Sequence, residues 1–146
     1  MIEYIKHRVA LSKLFKTRDK LNASFSEKIE KADRLSNPEE SIGSIQAEAS
    51  FELGMIDDEI AIMVTNYLTR QANRKFVPIP SHTDNIMWTQ CSILRYQDIL
   101  TSQGINLLRT SLRAEIKDRN EMWITILAAL TGVIGALTGF VAIINN

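Results

Sequence analysis

One cysteine in 146 residues excludes an internal disulfide, so Cys91 fits a reducing compartment. Two histidines, His7 and His82, and that one thiol make no metal-ligand spacing. No metal and no other cofactor is expected. A glycine-rich phosphate loop is missing too. Neither sign of charge dominates, with 17 basic and 17 acidic residues, so nothing pulls the whole chain toward nucleic acid. The basic residues also lack interleaved aromatics, and nucleic acid is not an expected partner. The N-terminal MIEYIKHRVALSKLF is too polar for the apolar core of a secretory signal. It lacks the arginine and serine enrichment of a transit peptide as well.

No catalytic constellation stands out. "SHTD" at 81–84 sets Ser81, His82 and Asp84 nearly side by side, whereas a triad needs groups that converge in space. Turn chemistry is the simpler reading. "DDE" at 57–59 falls in a helical pattern, where neighbours point in different directions, so a solvated face is expected. The chain is not expected to be an enzyme.

What is present is distributed in blocks. Residues 1–20 carry six basic and two acidic side chains, and residues 27–59 carry three and ten. Residues 60–122 return to eight basic against five acidic. Such blocks predict basic and acidic helices that pack beside each other or face solvent.

Helical periodicity fills most of the chain. Ile2, Ile5, Val9, Leu14, Leu21, Phe25, Ile29, Ala32 and Leu35 recur at roughly three- and four-residue steps over 2–35, with room for a break near Thr17–Asn22. "SNPEES" at 36–41 is a start signal: Asn37 as cap, Pro38 in the first helical position, and Glu40 at the third. The helix it opens extends to about Asn73. Ile42, Ile45, Ala49, Leu53, Ile56, Ile60, Met63 and Tyr67 trace a near-heptad seam, which predicts packing on the first helix or on another copy. "FVPIPS" at 76–81 ends that helix, since Pro78 and Pro80 remove two donors. Thr83 or Asp84 is expected to cap a short helix carrying Ile86, Met87 and Trp88. "RYQDIL" at 95–100 has room for one short strand, pairing with Lys75–Ile79 as a small ribbon. Thr101 then caps a last helix. On it Ile105, Leu108, Leu112 and Ile116 form an apolar face. Arg109, Arg113 and Lys117 form a basic stripe, and Glu115 is placed to support Arg119.

From Trp123 to Ile144 run 22 residues without a charge or a proline. As a helix they span about 33 Å, against about 30 Å of bilayer hydrocarbon. The expected organisation is a cytoplasmic helical domain over 1–122, a transmembrane helix over 123–144 and a short far-side tail at 145–146. Trp123 sits where an interfacial aromatic belongs. Arg109, Arg113, Lys117 and Arg119 precede the span and only Asn145 and Asn146 follow it, so the positive-inside rule keeps the N-terminal domain cytoplasmic. A tail anchor is therefore the expected geometry. Within "LTGVIGALTGF" (130–140) three glycines would weaken a soluble helix. In lipid, small side chains let backbones approach, and Ala128, Gly132, Gly135, Gly139 and Ala142 form one heptad-spaced seam. Thr131 and Thr138 beside it can bond across the seam or back to their own helix.

The stretch "YQDILTSQGINLLRTSLRAEIKDRNEMW", running into that tail, resembles a group of small bacterial tail-anchored membrane proteins. They share an "LT..G...LR..IR.E.K.R" segment and a glycine-rich apolar helix. The matching residues are Leu100, Thr101, Gly104, Leu108, Arg109, Leu112, Arg113, Glu115, Lys117 and Arg119, then Gly132, Gly135 and Gly139. The resemblance covers about the last third of the chain. It implies a bacterial inner (plasma) membrane and carries over no activity and no site residue.

The fold class expected is therefore mainly α: a long-helix hairpin or bundle with a short two-stranded ribbon and one C-terminal transmembrane helix. The expected partners are the lipid bilayer, further copies of the chain and a cytoplasmic protein. The expected role is a non-enzymatic membrane adaptor or regulator. The alternative is a membrane-perturbing effector, forming a pore or depolarising the membrane in bacterial antiphage defence.

Overall fold

A computed structural model of the chain describes residues 2–34 and 38–144, with side chains over 2–34 and 41–137. Three helices and one ribbon make up the fold: α1 (Ile2–Asp33), α2 (Pro38–Arg74), β1 (Trp88–Gln90), β2 (Asp98–Leu100) and α3 (Ser102–Ile144). Leu35 and the expected cap Asn37 lie outside the described residues, as does the side chain of Glu40.

α1 and α2 form an antiparallel hairpin. Glu3 pairs with Arg70 and Arg74, His7 stacks on Tyr67 with ring centroids 4.0 Å apart, Arg18 meets Asp57 at 2.6 Å, and Lys28 reaches Glu48 at 3.9 Å. Partner numbers fall on α2 as they rise on α1, which is one register held along the whole hairpin. α1 runs without a break through Thr17–Asn22, because no proline or glycine interrupts it and Thr17 bonds back to the Lys13 carbonyl at 3.1 Å.

The inward face of α1 differs from the expected one. Glu3, His7, Ala10, Leu14, Leu21, Phe25 and Ala32 lose exposure against α2, at heptad-like spacing. Ile2, Ile5 and Val9 stay 72%, 54% and 50% exposed. Helix geometry explains this: Ile5 and Leu14 are nine residues apart, about half a turn out of phase at 100° per residue. One stripe cannot hold both. On α2 the expected seam from Ile42 to Tyr67 is only half-buried, while Asp58, Thr65, Leu68 and Ala72 are buried.

The buried core gathers at the C-terminal end of α2, where Leu68, Ala72, Val77, Trp88, Leu100, Leu108 and Leu112 meet. α2 ends in a paired cap: the Val77 N–H donates to the Ala72 carbonyl at 2.9 Å and the Phe76 N–H to Asn73 at 3.4 Å. Phe76 takes the left-handed conformation this cap demands, with φ of 58°.

That turn explains two corrections. Lys75 and Phe76 belong to the helix end and Pro78 and Pro80 have no N–H, so 75–79 cannot pair with the strand. β2 pairs instead with β1, in the register Trp88↔Leu100, Thr89↔Ile99 and Gln90↔Asp98. The expected helix around Ile86–Trp88 is a single turn. The Asp84 side chain accepts from Ile86 at 2.9 Å, its carbonyl accepts from Trp88 at 2.9 Å, and Trp88 goes straight into β1.

Thr101 caps α3 as expected, accepting the Gly104 N–H at 3.2 Å and donating to the Ile86 carbonyl at 2.6 Å. Gly104 is required here, since a Cβ would stand 2.5 Å from the Met87 carbonyl oxygen. Leu108 and Leu112 on α3 are buried, whereas Ile116 has left the core and is 36% exposed. α3 then continues as one helix through the apolar segment.

Candidate functional site

The site that sequence reasoning marks is the outer part of α3. This helix is long and apolar enough to cross a membrane, with a mean hydropathy of 1.5 and none of its most apolar segment buried. Every described side chain from Arg113 to Leu137 is exposed. Trp123 is among them, at the start of the apolar stretch. Arg109, Arg113, Lys117 and Arg119 project from the polar part that precedes it. The supporting pair differs from the expected Glu115–Arg119: Lys117 reaches Glu121 at 3.6 Å.

Ala128, Gly132 and Gly135 lie exposed on the helix, and Cβ atoms built at the two glycines would meet nothing within 4 Å. The side chains at Thr138, Gly139 and Ala142 lie outside the described residues. Thr131 takes the intrahelical option, donating to the Leu127 carbonyl at 2.9 Å. Thr125 does the same to Glu121 at 2.9 Å. Their hydroxyls are thereby satisfied inside the helix, as a hydrocarbon setting requires.

The domain at the other end of α3 shows a second feature. A groove of about 750 Å³ lies between α1 and α2 beside the ribbon loop, lined by His7, Leu14, Met63, Tyr67, Leu94 and Tyr96 among others. Burial pushes the His7 imidazole below its ordinary value, and Arg8 adds to the effect. Burial likewise pushes the Tyr67 phenol up, with Tyr4 and Glu3 adding to it. Glu3 at the rim accepts from Arg74, which holds its carboxyl below the usual range against the opposing effect of desolvation.

"SHTD" is turn chemistry. The Ser81 and Thr83 hydroxyls bond each other at 2.8 Å, and the His82 ring stacks on Trp88 at 3.9 Å rather than facing Asp84. Among the described residues no three His, Cys, Asp or Glu side chains form a metal-binding group.

"DDE" requires a correction. Asp57 pairs with Arg18 and Glu59 is exposed, but Asp58 is 4% exposed and not solvated. Its carboxylate accepts the N–H groups of Ser92, Ile93 and Leu94 at 3.0, 2.7 and 2.9 Å. Burial opposes its ionisation, yet the Leu94, Ile93 and Ser92 donors outweigh burial and hold the carboxyl below its ordinary value. Thr65, two turns further on, accepts the Leu100 N–H at 3.0 Å. Together these two side chains hang the ribbon on α2. Sequence reading missed both; their one sequence signal is polarity on a helix that also packs against the ribbon.

Burial pushes the Cys91 thiol up, and the neighbouring Asp58 and Asp98 carboxylates add to it, so it is a poor nucleophile. No family model, curated protein or solved structure matches the chain.

Proposed function

We propose that the chain is a single-pass membrane protein that holds a helical domain on the cytoplasmic side and acts as a non-enzymatic adaptor or regulator. One observation carries the reading: the apolar residues from Trp123 to Leu137 extend one helix beyond the domain and stay exposed. Apolar surface left in water costs about 25 cal/mol per Å². A bilayer removes that cost, and the segment's length matches the hydrocarbon core.

Orientation follows from Arg109, Arg113, Lys117 and Arg119 on the domain side of the span. Copies associate through Ala128, Gly132, Gly135, Gly139 and Ala142, because small side chains on one face let helix backbones approach in lipid. The resemblance of the last third to small bacterial membrane proteins supports a bacterial inner membrane.

The test compares the full chain with a Gly132→Leu/Gly135→Leu/Gly139→Leu variant in bacterial cells. Both are expected in the alkali-resistant membrane fraction. In detergent the variant's mass is expected to fall toward the monomer, with membrane potential unchanged by either protein. A cytosolic full-length chain overturns the reading. Collapse of the potential that depends on the glycines replaces it with a membrane-perturbing effector.

A further inference from the structure

Charges that cancel along the sequence separate in space. Glu3 pairs with Arg74 at the end of α2, so the N-terminus of α1 lies at the end of the hairpin where the core holds Leu108 and Leu112 of α3. This end is basic: residues 1–20 carry six basic and two acidic side chains, and residues 60–83 carry three and none. The opposite end of the hairpin holds residues 27–34 and 38–52, with seven acidic residues against three basic.

The same basic end has an uncovered apolar face. Ile2, Tyr4, Ile5, Val9 and Phe15 are exposed, and Arg8, Lys13 and Lys16 stand among them. Tyr4, Ile5, Arg8, Val9, Lys13 and Lys16 line a shallow trough of about 530 Å³ along α1. Among the described residues no carboxylate pairs with Lys13 or Lys16. Cations flanking aliphatic and aromatic side chains on one helical face suit the plane of an anionic bilayer interface.

α3 supplies the reach. Its last buried residue, Leu112, stands 11 residues before Trp123, a separation of about 16 Å of helix. The basic end of the hairpin is the end that packs beside α3, so it stands within that reach of the lipid surface. A second copy is the weaker occupant. Copies anchored in one membrane stand side by side in the same direction, which sets basic end against basic end.

We propose that the N-terminal half of α1 docks on anionic lipid, with Ile5 and Val9 entering the interface and Arg8, Lys13 and Lys16 facing lipid phosphates. The proposal rests on reading α3 as the membrane anchor. Each cation at the surface raises the ratio of docked to undocked hairpin about fivefold.

The test uses the full chain carrying Ser12→Cys, labelled with a nitrobenzoxadiazole fluorophore; Cys91, 2% exposed, is shielded from the reagent. The chain is reconstituted into phosphatidylcholine vesicles and into vesicles of equal parts phosphatidylcholine and phosphatidylglycerol. The expected result is a blue shift in the phosphatidylglycerol vesicles alone, reversed by salt and abolished by Arg8→Glu/Lys13→Glu/Lys16→Glu. The Arg8→Gln/Lys13→Gln/Lys16→Gln variant weakens the shift with helix content unchanged by circular dichroism. Water-like emission in both vesicle types, from a chain that floats with them, overturns the docking and leaves the anchor standing. A chain that does not float overturns the anchor itself. A blue shift that follows protein density and ignores lipid charge assigns the face to a second copy and overturns the proposal.

Discussion

The Asp58 carboxylate on α2 accepts the Ile93 N–H at 2.7 Å, and the amides on either side of Ile93 converge on the same group. A single helical side chain thus ties the ribbon loop to α2. Asp58→Ala strips three partly buried donors of their acceptor. The expected loss is about 3 kcal/mol, since bonds to a charged group contribute about 1.5–3 kcal/mol and orphaned donors add to the cost. Asp58→Asn, which keeps one acceptor oxygen, is expected to lose less. Urea unfolding of the full chain in detergent measures both.

The same carboxylate makes the fold acid-sensitive. Its folded value lies below its ordinary one, so the stabilisation is complete above the unfolded value of about 3.9 and fades as pH falls through the folded value. Urea midpoints measured from neutral pH downward are expected to hold until the carboxylate range and then drop. In Asp58→Asn the drop is expected to shrink. An unchanged profile in that variant refutes the assignment.

Two glycines are expected to respond differently to alanine. At Gly104 the new methyl would meet the Met87 carbonyl oxygen at 2.5 Å and Leu100 Cδ2 at 2.9 Å, and backbone cannot give way cheaply. Gly104→Ala is expected to cost about 2 kcal/mol by overpacking. At Gly54 the neighbour is the Ile93 side chain at 3.1 Å, which can rotate. There the helix propensity of alanine, worth about 1 kcal/mol, offsets the contact. Paired thermal melts distinguish these outcomes.

Phe76 occupies the left-handed cap of α2 and is 95% exposed. Phe76→Gly therefore removes strain and sacrifices almost no packing. Its expected effect is a gain of roughly 0.5–1 kcal/mol, read as a higher melting temperature. A loss of stability would show that the ring packs in solution.

How much of this fold can be read in advance depends on the range of the interactions. The three helices are legible because caps and breakers are local: Pro38 opens α2, Pro78 and Pro80 follow its end, and Thr101 opens α3. The ribbon is half legible. The composition of 95–100 marks a strand, but its partner is chosen by the cap at Phe76 and by Thr65, whose bond to Leu100 spans 35 residues. Two apolar stripes on α1 read as one seam until α2 selects Ala10, Leu14 and Leu21. Asp58 is illegible between Asp57 and Glu59, since its three amide partners arrive from 34 to 36 residues away. The apolar stretch of α3 is plain in sequence because hydrophobicity over 22 residues is a bulk property that needs no partner to identify it.

α3 has no interruption between Leu108 in the core and Gly132 in the apolar stretch. The two residues are therefore locked in azimuth as well as in distance. Turning the domain about this axis turns the glycine face through the same angle, as a shaft transmits torque. Each residue added between Leu112 and Trp123 would twist one end against the other by about 100° and lengthen the shaft by about 1.5 Å. Seven added residues would nearly restore the original phase. The connector thus sets a clock position: its length fixes the azimuth at which Gly132 stands relative to the core residue Leu108.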